Sequence, residues 1–87
     1  MSYTVYTRNT LRKDVKKIPV KYLKEIYDII DQLSENPYMD GIRKLKGRDN
    51  VYRFRVGDYR VLYEIDDKEK SLMIMYIRHR KDVYRDM

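Results

Sequence analysis

Between Val51 and Ile65, apolar and polar residues alternate with period two on both sides of Gly57-Asp58. Two strands joined by a tight turn have this pattern. Gly followed by a polar residue suits a two-residue type II′ turn, because Gly accepts the positive φ of the first central position. Such a turn predicts the register: Val56 opposite Tyr59, Arg55 opposite Arg60, Phe54 opposite Val61, Arg53 opposite Leu62 and Tyr52 opposite Tyr63. One face of the hairpin is then apolar (Tyr52, Phe54, Val56, Tyr59, Val61, Tyr63), while the other carries Arg53, Arg55 and Arg60.

The rest of the chain supplies layers for that hairpin. Tyr3–Thr7 alternates weakly and predicts a short first strand. Asn9 or Thr10 then caps a short basic helix with Leu11, Val15 and Ile18 at helical spacing, ended by Pro19. A second helix is expected from about Lys21 to Glu35, its stripe formed by Leu23, Ile26, Tyr27, Ile30 and Leu33. Asn36-Pro37 stops it, since a residue before proline is pushed out of the α region. Ile42–Lys46 reads as a short edge strand and Asp66–Lys70 as a polar turn. Ser71–Arg78 is nearly continuously apolar, as a central strand covered on both faces would be. The fold class is therefore α+β: two N-terminal helices packed on a small twisted, mostly antiparallel sheet, in the order β-α-α-β-β-β.

At 87 residues, 1–87 form a single domain; a chain of this size buries roughly 60–65% of its unfolded surface. With no cysteine, disulfides and thiolate metal sites are excluded. The longest apolar run, Leu72–Ile77, is too short to span a bilayer, and the N-terminus has no signal pattern, so the expected location is cytoplasmic. Charge changes the picture more. The net charge of +6 is blocked: Arg8–Lys24 carries seven bases and one acid, Glu25–Asp40 five acids and no base, Ile42–Leu62 seven bases and two acids. Such blocks create a positive face that attracts polyanions. Ten tyrosines accompany it; most fall at core-facing parity, which favours packing over base stacking.

Like charges directly opposite one another destabilise a sheet. Arg55 across from Arg60, with Arg53 two positions along, therefore points to an anion held by bidentate donors, most plausibly phosphate; the bland alternative leaves the arginines solvated on a one-sided sheet. No phosphate-cradling glycine loop is present, and a single histidine rules out a His-pair metal site and a two-histidine nuclease mechanism. No metal or cofactor is expected. If the anion is an RNA phosphodiester undergoing cleavage, the 2′-hydroxyl must lose a proton, the phosphorane gains charge and the 5′-oxygen needs a proton. Arginines serve the second demand and not the first, since guanidinium stays protonated. Tyr84 is a candidate base, because nearby cations favour a phenolate. His79 has the best intrinsic pKa for proton transfer, although a lone strand-end histidine is more often an ordinary surface residue. Lys44, Lys46 and Lys81 are weaker candidates for the proton.

Lys44-Leu45-Lys46-Gly47, the hairpin Tyr52–Tyr63 and the tail Ile77-Arg78-His79-Arg80-Lys81-Asp82-Val83-Tyr84 together resemble the RelE/ParE toxin superfamily, and within it RelE-type toxins of type II toxin–antitoxin systems. The resemblance covers essentially the whole chain. It implies a ribosome-dependent, metal-independent endoribonuclease that cuts mRNA in the decoding site, with a cognate antitoxin that shields the basic face. Arg60 matches the family's scissile-phosphate arginine, Arg78 the arginine assigned to transition-state stabilisation, and Tyr84 the C-terminal tyrosine that meets the substrate nucleotide. Arg53, Arg55, Arg80, Lys44 and Lys46 are expected to bind RNA phosphates. Arg53 and Arg55 stand where RelE proteins place two lysines, one linked to proton transfer; arginine keeps the charge but is a poor acceptor. Two other readings remain beside this one: a ParE-like inhibitor of DNA gyrase, and a non-catalytic RNA- or ribosome-binding module.

Overall fold

A computed structural model describes residues 2–81 as two layers, a five-stranded sheet with two helices on one face. The elements are β1 (Thr4–Thr7), α1 (Leu11–Lys16), α2 (Val20–Glu35), β2 (Arg43–Lys44), β3 (Val51–Val56), β4 (Tyr59–Asp66) and β5 (Ser71–His79). The sheet order is β1-β5-β4-β3-β2; β1 runs parallel to β5 and every other pair is antiparallel. Two helices on a mostly antiparallel sheet agree with the α+β expectation.

The β3–β4 register is the one the turn predicts, from Val56↔Tyr59 to Tyr52↔Tyr63. Gly57 has φ +57° and Asp58 is not at positive φ, as a type II′ turn requires. The turn is held from above. A Cβ placed on Gly57 would lie 2.8 Å from Cε1 of Tyr22, whose ring also packs on Tyr59 with centroids 5.4 Å apart. The first turn of α2 thus clamps the tip of the hairpin.

Ile26, Ile30 and Leu33 of α2 join Leu11 and Ile18 against Phe54, Val56, Val61, Tyr63, Leu72, Ile74 and Ile77 of the sheet. Tyr63 is fully buried, and its hydroxyl donates to the carbonyl of Pro37 at 3.0 Å, so the core carries no orphaned phenol. Neither helix has a side-chain cap, and α2 has no acid in its first turn and no base in its last. Packing of the apolar stripe, not end electrostatics, therefore holds α2.

Four expectations need correction. Tyr27 is 46% exposed: it lies one residue, or about 100°, round the helix from Ile26, outside the covered stripe, which Tyr22 and Ile29 join instead. β5 is helix-covered on one face only, and Met73 on the other is 37% exposed. Its apolar continuity comes from a β-bulge. Tyr63 pairs with Ile74 and Leu62 with Tyr76, so Met75 is an inserted residue. Met75 packs with Val51 and Leu62, flanked by Leu45 and Tyr76, in a small cluster on the face away from the helices. The edge strand β2 is only two residues long, and Ile18 lies beyond the end of α1.

Candidate functional site

The uncovered face of the sheet gathers the arginines. Arg60 pairs with Arg55 on β3 and with Arg78 on β5, so three guanidinium-bearing residues form one row across three adjacent strands. Directly opposed side chains start about 4.5–5.5 Å apart. On the outer side Arg43 pairs with Arg53. A cleft of about 370 Å³ is lined by Gly41, Arg43, Arg53, Phe54, Arg55 and Arg60. A second of about 210 Å³, lined by Arg55, Gly57, Asp58, Arg60 and Arg80, lies on the other side of the Arg55–Arg60 pair. The acid in this second cleft, Asp58, lies 3.9 Å from Arg80, and both side chains are well exposed. Such a pair is worth little and leaves the charge of the face nearly intact.

The face is not wholly solvated. Arg53, Arg60 and Arg78 are partly buried, which strengthens their field over the uncovered face; Arg78 lines neither of the two clefts but a smaller one of about 90 Å³, with Asp14, Lys17, Ile18, Tyr59, Ile77 and His79. The Arg78 guanidinium carbon lies 5.0 Å from the centroid of the Tyr76 ring, and its Nε is buried with no hydrogen-bond partner among the described residues. Buried as it is, Nε is closed to an incoming anion, so any contact with one falls to the Nη groups.

Other sequence-derived candidates fall elsewhere. His79 pairs with Tyr59 on the helix side of the sheet, its ring edge-on to Tyr59 with centroids 5.2 Å apart. Its Nδ1 accepts from the Lys81 backbone N–H at 3.2 Å. It therefore faces away from Arg60. Lys44 pairs with Tyr52, whose parity is also that of the helix side, and Lys46 is exposed beyond β2; neither lines the clefts. Arg80 lines the second cleft, and its N–H continues the ladder to the Asp58 carbonyl at 2.7 Å. Tyr84 lies outside the described residues. Two residues at the face escaped sequence reading, Arg43 and Tyr76. Arg43 sits in the basic block Ile42–Leu62, but the parity of a two-residue strand cannot be read from alternation. Among the described residues no group of three His, Cys, Asp or Glu side chains is placed to hold a metal.

Fold and site define a class: a small two-layer α+β protein with a cationic cleft on its uncovered sheet face. Comparison with known proteins makes that class specific. A family model described as the ParE toxin of type II toxin–antitoxin systems, parDE, matches residues 5–84. The chain is 33% identical to the putative toxin RelE1 of Methanocaldococcus jannaschii, over 99% of each chain. It is 34% identical to toxin RelG of Mycobacterium tuberculosis, over 98% of this chain and 99% of that one. Its fold superposes with a TM-score of 0.80 on a chain of the RelB–RelE antitoxin–toxin complex from Methanococcus jannaschii, at 31% identity, covering 94% of this chain and 98% of that one. The chain belongs to the RelE/ParE toxin superfamily, as a RelE-type toxin of a type II toxin–antitoxin system.

Proposed function

We propose that this toxin is a ribosome-dependent, metal-independent endoribonuclease that cleaves mRNA during translation. The carrying observation is the row Arg55–Arg60–Arg78, like charges kept side by side on an open face where they cost stability. A phosphodiester entering the cleft meets Arg60 at the centre of the row. As the 2′-oxygen attacks phosphorus, charge builds on the non-bridging oxygens of the phosphorane, and Arg60 and Arg78 stabilise it with donors already in position. The P–O5′ bond then breaks, leaving a 2′,3′-cyclic phosphate and a 5′-hydroxyl, the leaving oxygen taking its proton from water. Arg43, Arg53, Arg55 and Arg80 hold flanking phosphates. No arginine takes the 2′-hydroxyl proton, since guanidinium stays charged at any working pH. In this reading Tyr84 takes it as a phenolate, a form that neighbouring cations favour.

The ribosome presents the mRNA, and a cognate antitoxin covers the basic face when the toxin is silent. The RelB–RelE complex from the archaeal relative supports such a partner. The setting is cytoplasmic; among the described residues no helix is long and apolar enough to cross a membrane.

Primer extension on an mRNA translated in a purified system tests the reading, with wild type beside Arg60→Ala and Tyr84→Ala. Cuts that need ribosomes and vanish in both variants are expected. Intact mRNA with wild-type protein would sink the nuclease reading and favour a ParE-like action on gyrase; the matching family model bears the ParE name. Binding to programmed ribosomes without cuts would favour a non-catalytic module.

A further inference from the structure

Arg78 stands beside Arg60 because β5 is one residue longer than its partner. At the other end of the pair Glu64 faces Met73 and Ile65 faces Leu72. Continued without interruption, that register would set Arg60 opposite Ile77 and Arg78 opposite Tyr59, on the helix side. Met75 breaks it. After the bulge Leu62 faces Tyr76 and Arg60 faces Arg78, while Ile77 and His79 turn to the core side. Bulges re-aim side chains in this way next to functional sites. The same insertion that sets Arg78 on the uncovered face beside Arg60 brings Tyr76 with it, two residues earlier on the same face.

Tyr76 is half-buried and packs against the cluster of Val51, Leu62 and Met75, so its ring is fixed from below. The Arg78 guanidinium lies over that ring at 5.0 Å. No salt bridge reaches Arg78 among the described residues, and its buried Nε is unpartnered. A carboxylate seat would neutralise the guanidinium and compete with a phosphate for the same N–H groups. An aromatic face attracts the cation through its quadrupole and occupies none of them.

We infer that Tyr76 is a positioning residue of the nuclease site. Its ring seats the Arg78 guanidinium beside Arg60 without occupying its donors, leaving the Nη groups for the scissile phosphate, and the Met75 bulge sets both on the uncovered face of the sheet. The inference rests on the nuclease reading for its effect on rate, but the seat itself is a property of the free protein.

Two measurements on the full chain decide it. The first is the cleavage rate on saturating programmed ribosomes for Tyr76→Leu, Tyr76→Phe, Arg78→Ala and the double variant Tyr76→Leu/Arg78→Ala. Tyr76→Leu should slow cleavage roughly 3- to 30-fold, the span of a cation–π contact at a partly buried site, with half-saturation unchanged. Tyr76→Phe should restore most of the rate, and Tyr76→Leu should have no further effect once Arg78 is alanine. Wild-type rate in Tyr76→Leu, multiplicative losses in the double variant, or a Tyr76→Phe as slow as Tyr76→Leu would each overturn the inference. The second is the NMR resonance of the Arg78 Nε–H, read in variants with wild-type urea midpoints. It should carry a ring-current shift that persists in Tyr76→Phe and disappears in Tyr76→Leu; an unmoved resonance overturns the seat. If wild type cuts nothing, the nuclease reading fails and this resonance still decides the seat.

Discussion

The backbone N–H of Ile77 donates to Oδ2 of Asp14 at 3.1 Å, a bond across 63 residues of sequence. β1 ends at Thr7, opposite Ile74, so β5 runs on past its parallel neighbour and loses its strand partner on that side. Asp14, the one acid in the basic block Arg8–Lys24, stands in for the missing strand and pins α1 to the residue before Arg78.

Replacing Asp14 by Ala should strand a partly buried N–H and lower stability by about 1–3 kcal/mol. Asp14→Asn keeps an acceptor and should lose less. Urea unfolding midpoints at constant m-value measure both; equal stability of wild type and Asp14→Ala would show that water replaces the carboxylate at no cost.

Gly57 combines a positive φ of +57° with a Tyr22 ring carbon 2.8 Å from where a Cβ would sit. Gly57→Ala should cost about 1–3 kcal/mol through backbone strain and displacement of the ring. In a Tyr22→Leu background the steric part should vanish and the backbone part remain. A double-mutant cycle by urea unfolding separates the two; a coupling of zero would mean that Tyr22 swings away freely.

These two sites also mark what the sequence could reveal. Gly57 made the hairpin legible, because a turn that demands positive φ, flanked by period-two alternation, fixes every pairing from Val56↔Tyr59 outward, Arg55↔Arg60 included. Helix α2 was legible from its stripe and from Asn36-Pro37, but the width of the stripe was not, and Tyr27 turned out exposed. The third arginine of the row was not legible by pattern. Met73-Ile74-Met75-Tyr76 is apolar throughout, so nothing in it marks which residue is inserted. That one insertion decides between Arg78 and His79, since consecutive strand residues face opposite ways. Family resemblance pointed to Arg78, whereas uninterrupted alternation would have chosen His79.

Asp67 accepts from both Tyr38 and Tyr3, each hydroxyl 2.7 Å from a different carboxylate oxygen. These bonds, that of Tyr38 first, hold the Asp67 carboxyl below its ordinary value, while burial and then the Asp67 bond raise Tyr38. A depressed carboxylate contributes stability that is present above its unfolded value of about 4 and lost as the pH falls through the folded value. A raised phenol contributes stability present below about pH 10 and lost as the pH rises through its folded value. Titration of the Asp67 carboxyl carbon by NMR should give a midpoint below that of an ordinary aspartate. In Tyr3→Phe/Tyr38→Phe the midpoint should return toward it, and the stability gap between the two proteins should close on acidification. An unchanged midpoint would mean that the tyrosines do not hold the carboxylate in solution.

The arginine row carries a prediction of opposite sign. Arg55 lies directly across from Arg60, and Arg60 directly across from Arg78, so removing a charge from the row relieves repulsion. Arg55→Gln, at an exposed strand position, should raise stability in low salt by about 0.2–1 kcal/mol. Inorganic phosphate should reverse the order. An anion that binds only the folded protein stabilises it by RT ln(1 + [L]/Kd), and the wild-type row binds it with the lower Kd. Urea midpoints with and without phosphate, at constant ionic strength to separate binding from screening, should therefore cross between wild type and Arg55→Gln. Parallel lines would show that the arginines are merely solvated. A wild type that is more stable even without phosphate would show that the row is held together by something other than an anion, and the cost that motivates the site would not exist.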